Sequence, residues 1–275
     1  MKIWRDPRTW LLAALLAVTG VGCGDAAQRF ITLASTTSTR DSGFFDSVLP
    51  LFEAKTGIEV RVVAVGTGRA LRLGERGDVD AVLVHDRASE LEFVARGHGI
   101  ARREVMYNDF VVIGPSADPA RIRGLGDAAA AFARIAESRA IFTSRGDDSG
   151  THKAELRLWE AAGVDARADS GTWYRETGTG MGATLNTASE LGAHLLADRG
   201  TWLSFKNRGD LQVLVKGDPR LRNVYGAILV NPERHPHVKI DDTRAFVAWL
   251  VSDAGRAAIA NFRLGGTQLF HPLSP

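Results

Sequence analysis

The chain has 275 residues, 45% of them apolar and 24% charged, with 29 glycines, 9 prolines and a single cysteine. That mixture buries an ample core and excludes a disordered chain, a collagen-like repeat and a disulfide-stapled scaffold, while a single apolar run at the start excludes a polytopic membrane protein. The formal net charge is +2, and Lys2, Arg5, Arg8 and Asp6 account for all of it, so the chain beyond residue 22 is neutral and offers no basic face for nucleic acid.

In chain order, the three basic residues precede Trp10–Val18 (WLLAALLAV), an apolar stretch too short to span a bilayer. Residues 1–22 therefore read as a secretory signal peptide. Gly20-Val21-Gly22 leads into Cys23, the pattern of a bacterial lipoprotein cleavage site, although Gly20 stands where such sites usually carry an aliphatic residue. Cys23 is expected to be lipidated and to tether the chain to a membrane. The alternative is cleavage near Ala26-Ala27, releasing a free protein.

Beyond the leader, strands and helices alternate. Phe30–Ala34 reads as a strand running into Ser35–Thr39. A helix from about Asp41 follows, with Phe44, Phe45, Val48, Leu49 and Phe52 on its core face and Pro50 as an expected kink. Ile58–Val65 is a strand, Gly66-Thr67-Gly68 opens a short helix, Asp80–Val84 is a strand, and Arg87–Ala95 is a helix presenting Ala88, Leu91 and Val94. Val105–Ile113 is a longer strand. Asp127 should cap a helix over Ala128–Glu137, ahead of a strand at Ala140–Thr143 and a helix over His152–Ala162. Thr177–Gly182 opens another helix, strands are expected at Thr201–Phe205, Leu211–Val215 and Tyr225–Val230, and two helices near Asp242–Val251 and Asp253–Phe262 close the chain. The alternation predicts an α/β fold with largely parallel sheets and a ligand at the carboxyl ends of the strands.

One arrangement recurs: a strand ends in Ser, Thr and Gly, and a helix starts at once. It occurs at Ser35–Thr39, Gly66–Gly68, Ser144–Thr151 and Thr177–Gly182. A helix start presents unpaired backbone N–H groups, glycine lets the backbone approach closely, and hydroxyls add donors, so each junction suits an anion. Each is equally an ordinary N-cap, and Arg40, Arg69 and Arg175 nearby read as solvated surface charges. Arg145 differs, because it lies inside such a loop, where its planar fork would grip an anion.

Other chemistries fit less well. The Gly178–Gly182 run satisfies neither the dinucleotide nor the P-loop pattern. Ser149 and His152 are three residues apart but lie in no nucleophile elbow, His235-Pro236-His237 is too sparse for a metal site, and Asp147-Asp148 lacks the other ligands of a calcium loop.

Several motifs together resemble the tungstate-binding proteins that serve ABC importers, of the type II periplasmic binding-protein family. They are Ser35-Thr36-Thr37-Ser38-Thr39 with Asp41-Ser42-Gly43, Val65-Gly66-Thr67-Gly68, Leu83-Val84-His85-Asp86-Arg87 and Met106-Tyr107-Asn108-Asp109-Phe110. Ser144–His152, Trp173–Gly178 and Gly180–Thr184 complete the set. The resemblance runs from about Ile31 to the C-terminus. It implies two α/β lobes, 24–108 with 232–275 and 109–231, closing a cleft on one tetrahedral oxyanion. By motif, the ligand contacts would be Thr36, Thr37, Ser38, Gly66, Thr67, Gly68, Arg145, Ser149, Gly150 and Thr151. The family commonly has Thr where this chain has Ser35. The implied role is binding, not catalysis, with tungstate or molybdate as ligand, no cofactor or metal, an ABC permease as partner and a monomeric protein. A fully ionised dianion only accepts hydrogen bonds, so Asp147 and Asp148 are expected to face away and hold the loop or Arg145. The alternatives are a molybdate- or phosphate-preferring receptor on this fold, a secreted hydrolase using Ser149 and His152, and an anchored sensor.

Overall fold

The computed structural model describes residues 28–273; the signal peptide expected over residues 1–22 and the lipidation expected at Cys23 lie outside them. In the first half, strands β1 (Phe30–Thr36), β2 (Glu59–Val65) and β3 (Ala81–Val84) alternate with helices α1 (Thr37–Asp41), α2 (Phe44–Thr56), α3 (Thr67–Arg76) and α4 (Arg87–Ala95), ahead of β4 (Gly99–Pro115). The middle holds α5 (Ala128–Glu137), β5 (Phe142–Ser144), α6 (Gly150–Ala161), β6 (Tyr174–Glu176), α7 (Met181–Leu191), β7 (Leu195–Asp198), α8 (Arg199–Ser204) and β8 (Leu211–Val215). The chain closes with β9 (Arg222–Val230), α9 (Ile240–Leu250), α10 (Asp253–Asn261) and the short β10 (Arg263–Leu264), β11 (Thr267–Gln268) and β12 (His271–Pro272).

The α/β class holds, but apart from two isolated bridges the parallel pairing of the described residues is that of β1 with β2 and β3, and of β5 with β6. The rest is antiparallel, because β4 and β9 are long strands that carry the chain back across the molecule. The main sheet runs β12-β4-β9-β3-β1-β2. The first part of β4 pairs with β9 as far as Asp109, and its last part, from Phe110, pairs with β7 and β8. One strand thus belongs to two sheets, and the changeover falls between Asp109 and Phe110. β9, which on sequence fell within 109–231, pairs with β3 and packs in the first core.

Hydrophobic cores follow this division. On one side Phe44, Phe52, Phe246, Trp249 and Phe270 pack against β1–β3 and β9. On the other, Phe132, Phe142, Trp159, Trp173 and Tyr174 form an aromatic cluster under β5 and α6, with ring centroids 4.4 Å apart for Phe132 and Trp159. Burying such rings is worth roughly 1.5–3 kcal/mol each.

Two local expectations fail. Thr201–Phe205 is not a strand; its residues lie mostly in α8. Asp198 decides this, its Oδ2 accepting the Thr201 N–H and its Oδ1 the Thr201 hydroxyl, both at 2.8 Å, so that a capped turn outweighs the β-forming side chains. In α4 the buried residues are Glu90 and Phe93, while Ala88 is exposed and Leu91 is 46% exposed. Glu90 is drawn in by Arg102, whose Nε lies 2.6 Å from Oε2, and Phe93 fills the space left by Gly74 and Gly99. α2 runs from Phe44 to Thr56 with Pro50 inside it, as its spacing predicts.

Candidate functional site

Four strand ends meet at one place. β1, β2, β3 and β5 each finish beside a helix start, and the loops between them converge on one small cavity. Thr36, Thr37 and Ser38 wall it from the β1–α1 junction, and Val65, Gly66 and Thr67 from the β2–α3 junction. His85 enters from the end of β3, and Arg145, Ser149 and Gly150 close it from the β5–α6 loop. Eight of the ten residues singled out by motif are therefore brought together. Gly68 and Thr151 are not. A Cβ on Gly68 would stand 2.6 Å from Asp148 Oδ2, in an outer pocket that Asp148 also lines, and Thr151 is buried on α6.

The wall is rich in hydrogen-bond donors. The Thr36 hydroxyl caps α1, accepting the Thr39 N–H at 3.4 Å, and the Ser149 hydroxyl caps α6, accepting the His152 N–H at 3.3 Å. α3 has no side-chain cap, because its N-cap is Gly66, so its first N–H groups stay available. The Thr67 hydroxyl is fully buried and has no hydrogen-bond partner, an arrangement costing about 1–3 kcal/mol unless a ligand satisfies it.

Arg145 is the one cation in the wall. Its side chain is 7% exposed, its Nη2 donates to Asp147 Oδ2 at 2.5 Å and its Nε to the Thr179 carbonyl at 3.4 Å. Asp147 Oδ1 accepts the Ser149 N–H at 3.2 Å. Asp147 thus orients both Arg145 and the helix start while lying outside the cavity lining. Asp148 points to Lys153, at 3.5 Å, and its side chain is 64% exposed. No Asp or Glu lines the cavity.

Two polar contacts tie α6 to α4 across this junction. Arg157 Nη1 donates to Asp86 Oδ1 at 2.6 Å and Lys153 Nζ to the Ser89 hydroxyl at 2.9 Å. Beside the small cavity, a pocket of about 420 Å³ opens between Arg40, Asp41, Met181, Thr201 and Phe205, sharing Thr37, Ser38 and Arg145. It forms the mouth.

His85 is the residue that motif reasoning left without a role, although it stands one position past β3, at the same sheet edge as the β1 and β2 junctions. Its place at the carboxyl end of a parallel strand was the available signal. Burial drives its imidazole down to about 4, with Asp198, Asn223 and Asp86 opposing and Arg145 reinforcing the shift, so the ring is neutral near pH 7.

The competing chemistries find no support in the geometry. The Ser149 hydroxyl bonds the backbone of His152, while the His152 Nδ1 accepts the Asp148 N–H at 3.2 Å, so the pair is not arranged as nucleophile and base. His235 and His237 direct Nε2 to the carbonyls of Glu75 and Gly77, at 3.0 and 2.8 Å, and no cluster of three metal-ligating side chains occurs among the described residues. No described helix is long and apolar enough to cross a membrane.

Comparison with known proteins points the same way. A family model described as a PBP superfamily domain matches residues 23–254. A curated protein of Peptoclostridium acidaminophilum named tungstate-binding protein TupA is 44% identical over 250 residues, covering 90% of this chain and 86% of that protein. Among solved structures, the tungstate-binding protein TupA of Desulfovibrio alaskensis G20 is 45% identical with a TM-score of 0.81, covering 90% of this chain and all of that one. The structure titled as the tungstate ABC transporter from Geobacter sulfurreducens is 47% identical with a TM-score of 0.77, covering 85% of this chain and 98% of that one.

Proposed function

The chain belongs to the PBP superfamily of periplasmic binding proteins, and on that premise we propose that it captures tungstate outside the cytoplasm and delivers it to an ABC importer. The observation that carries this reading is the composition of the cavity wall: hydroxyls, helix-start N–H groups and one arginine, with no carboxylate. A fully ionised tetrahedral dianion has acceptors only, so each of its oxygens finds a donor there and none meets a lone pair it must repel. Hydrogen phosphate, which carries a proton near neutrality, finds no carboxylate to receive it.

The ligand set of this reading is Thr36, Thr37, Ser38, Gly66, Thr67, Arg145, Ser149 and Gly150. The lobes are residues 30–108 with 222–273 and residues 109–221, hinged where β4 changes partners. The cavity of about 10 Å³ has room for one water at most. A tetrahedral oxyanion is several times larger, so its entry parts the two walls, and the Arg157–Asp86 and Lys153–Ser89 contacts re-form as they close. The protein acts as a monomeric receptor without cofactor and without turnover, periplasmic and held to the membrane by a lipid on Cys23. Molybdate, of nearly the same size and charge, is the second ligand.

Calorimetric titration with tungstate, molybdate, sulfate and phosphate tests the reading. Tight one-to-one binding of the first two with far weaker sulfate and phosphate is expected, and silence with all four would overturn it.

A further inference from the structure

Two buried polar atoms without partners face the same spot. Thr67 Oγ1 and His85 Nδ1 are both unpaired, and both surround the start of α6: a Cβ on Gly150 would stand 3.0 Å from the first and 2.8 Å from the second. They come from different strand ends and converge on one glycine at the cavity wall. A native fold leaves such atoms unsatisfied at a cost, and two at one cavity mark a place where a ligand supplies the missing partners.

We propose that His85 is a further binding residue of the oxyanion site, a neutral imidazole whose Nδ1–H donates to the bound anion beside the Thr67 hydroxyl. The proposal rests on the oxyanion-binding reading above and adds to its ligand set a residue from a fourth strand end, that of β3. His85 is 6% exposed, and its ring is fixed by Tyr225, with centroids 4.9 Å apart and planes at 40°, and by Phe110 at 6.3 Å. A ring so held presents its nitrogen without further loss of side-chain freedom, which is the condition for a selective contact. Burial also keeps it uncharged, so it contributes direction to the site and leaves the charge to Arg145. The absence of a side chain on Gly150 is part of the same arrangement, since any Cβ there would fill the space between the two donors.

The test measures tungstate affinity and the melting temperature of the unliganded protein for the wild type, His85→Phe and His85→Gln. Phenylalanine keeps a ring of similar shape without a donor, and glutamine keeps an N–H donor. The expected result is a loss of tenfold or more in affinity for His85→Phe and of threefold or less for His85→Gln, with both proteins melting near the wild type. An unchanged affinity in His85→Phe, or equal losses in both variants, would overturn the assignment. Independently of how the variants fold, the ¹⁵N resonance of the His85 Nδ1 in the wild type should shift when tungstate saturates the site, and an unmoved signal would overturn it as well. A wild type that binds none of the oxyanions would overturn the receptor reading itself, and His85 with it.

Discussion

Replacing Arg145 with alanine removes the only cation in the cavity wall and leaves Asp147 behind without its partner. Two effects then add. The anion loses a charge-assisted contact worth about 1.5–3 kcal/mol. It also faces a carboxylate that the guanidinium had held at 2.5 Å; two unit charges a few ångströms apart at an effective dielectric constant of about 20 interact by roughly 4 kcal/mol, much of it relieved as the exposed edge of Asp147 turns to water. A net loss of about 3–4 kcal/mol corresponds to a ~100–1,000-fold weaker affinity. Titration calorimetry on Arg145→Ala and on the double variant Arg145→Ala/Asp147→Asn separates the two effects. The double variant should recover ~10-fold of the loss, because neutralising Asp147 removes the repulsion and keeps a side chain that can hold the Ser149 N–H. A loss of tenfold or less in the single variant would refute Arg145 as the main charge partner. Equal affinities in the single and double variants would refute the repulsion argument.

The Glu155 carboxyl, buried behind the Arg145 loop and bonded by the Tyr174 hydroxyl at 2.8 Å and the Trp159 indole at 3.2 Å, is pushed up to about 7 by burial, against those hydrogen bonds. The folded chain keeps a proton that the unfolded chain releases above its ordinary 4.5, so this group's stabilisation is complete below that pH and falls by on the order of 3 kcal/mol as pH rises to 7. Glu155→Gln should flatten the difference in urea midpoint between pH 5 and pH 8; a variant with the wild-type slope would contradict the assignment. Arg157→Ala removes a half-exposed partner of the buried Asp86 and should cost the closed state about 1 kcal/mol, seen in stopped flow as ~5-fold faster anion release with an unchanged association rate. Gly150→Ala would place a Cβ 2.6 Å from the His85 ring, about 0.9 Å inside ordinary contact, so affinity should fall tenfold or more by calorimetry; equal affinity would show that the walls do not approach as described.

Much of the candidate site was legible because its parts are local. Ser, Thr and Gly after an apolar strand announce both a helix cap and an anion seat, and the structure uses Thr36 and Ser149 as caps within the cavity wall. What escaped depends on distant partners. Glu90 is buried only because Arg102 lies across from it on another element, which no spacing within α4 reveals. The turn at Arg199–Ser204 follows from two hydrogen bonds to Asp198 that outweigh the β-forming character of Thr201, Trp202 and Phe205. The 17 residues of β4 read as a shorter strand because Gly99–Glu104 carries three charged side chains, of which Arg103 and Glu104 are exposed while Arg102 is buried against its partner Glu90. His85 stands in a motif whose role appears only when the ends of β1, β2 and β3 are seen side by side.

Locating the bound metal is the most direct test of the central claim. Crystals grown with tungstate and measured on either side of a tungsten absorption edge should give one anomalous peak, within hydrogen-bonding reach of Arg145, Ser38, Thr67 and the Gly150 N–H through its four oxygens. A peak in the adjoining pocket beside Met181 and Phe205, or no peak at this cavity, would contradict it.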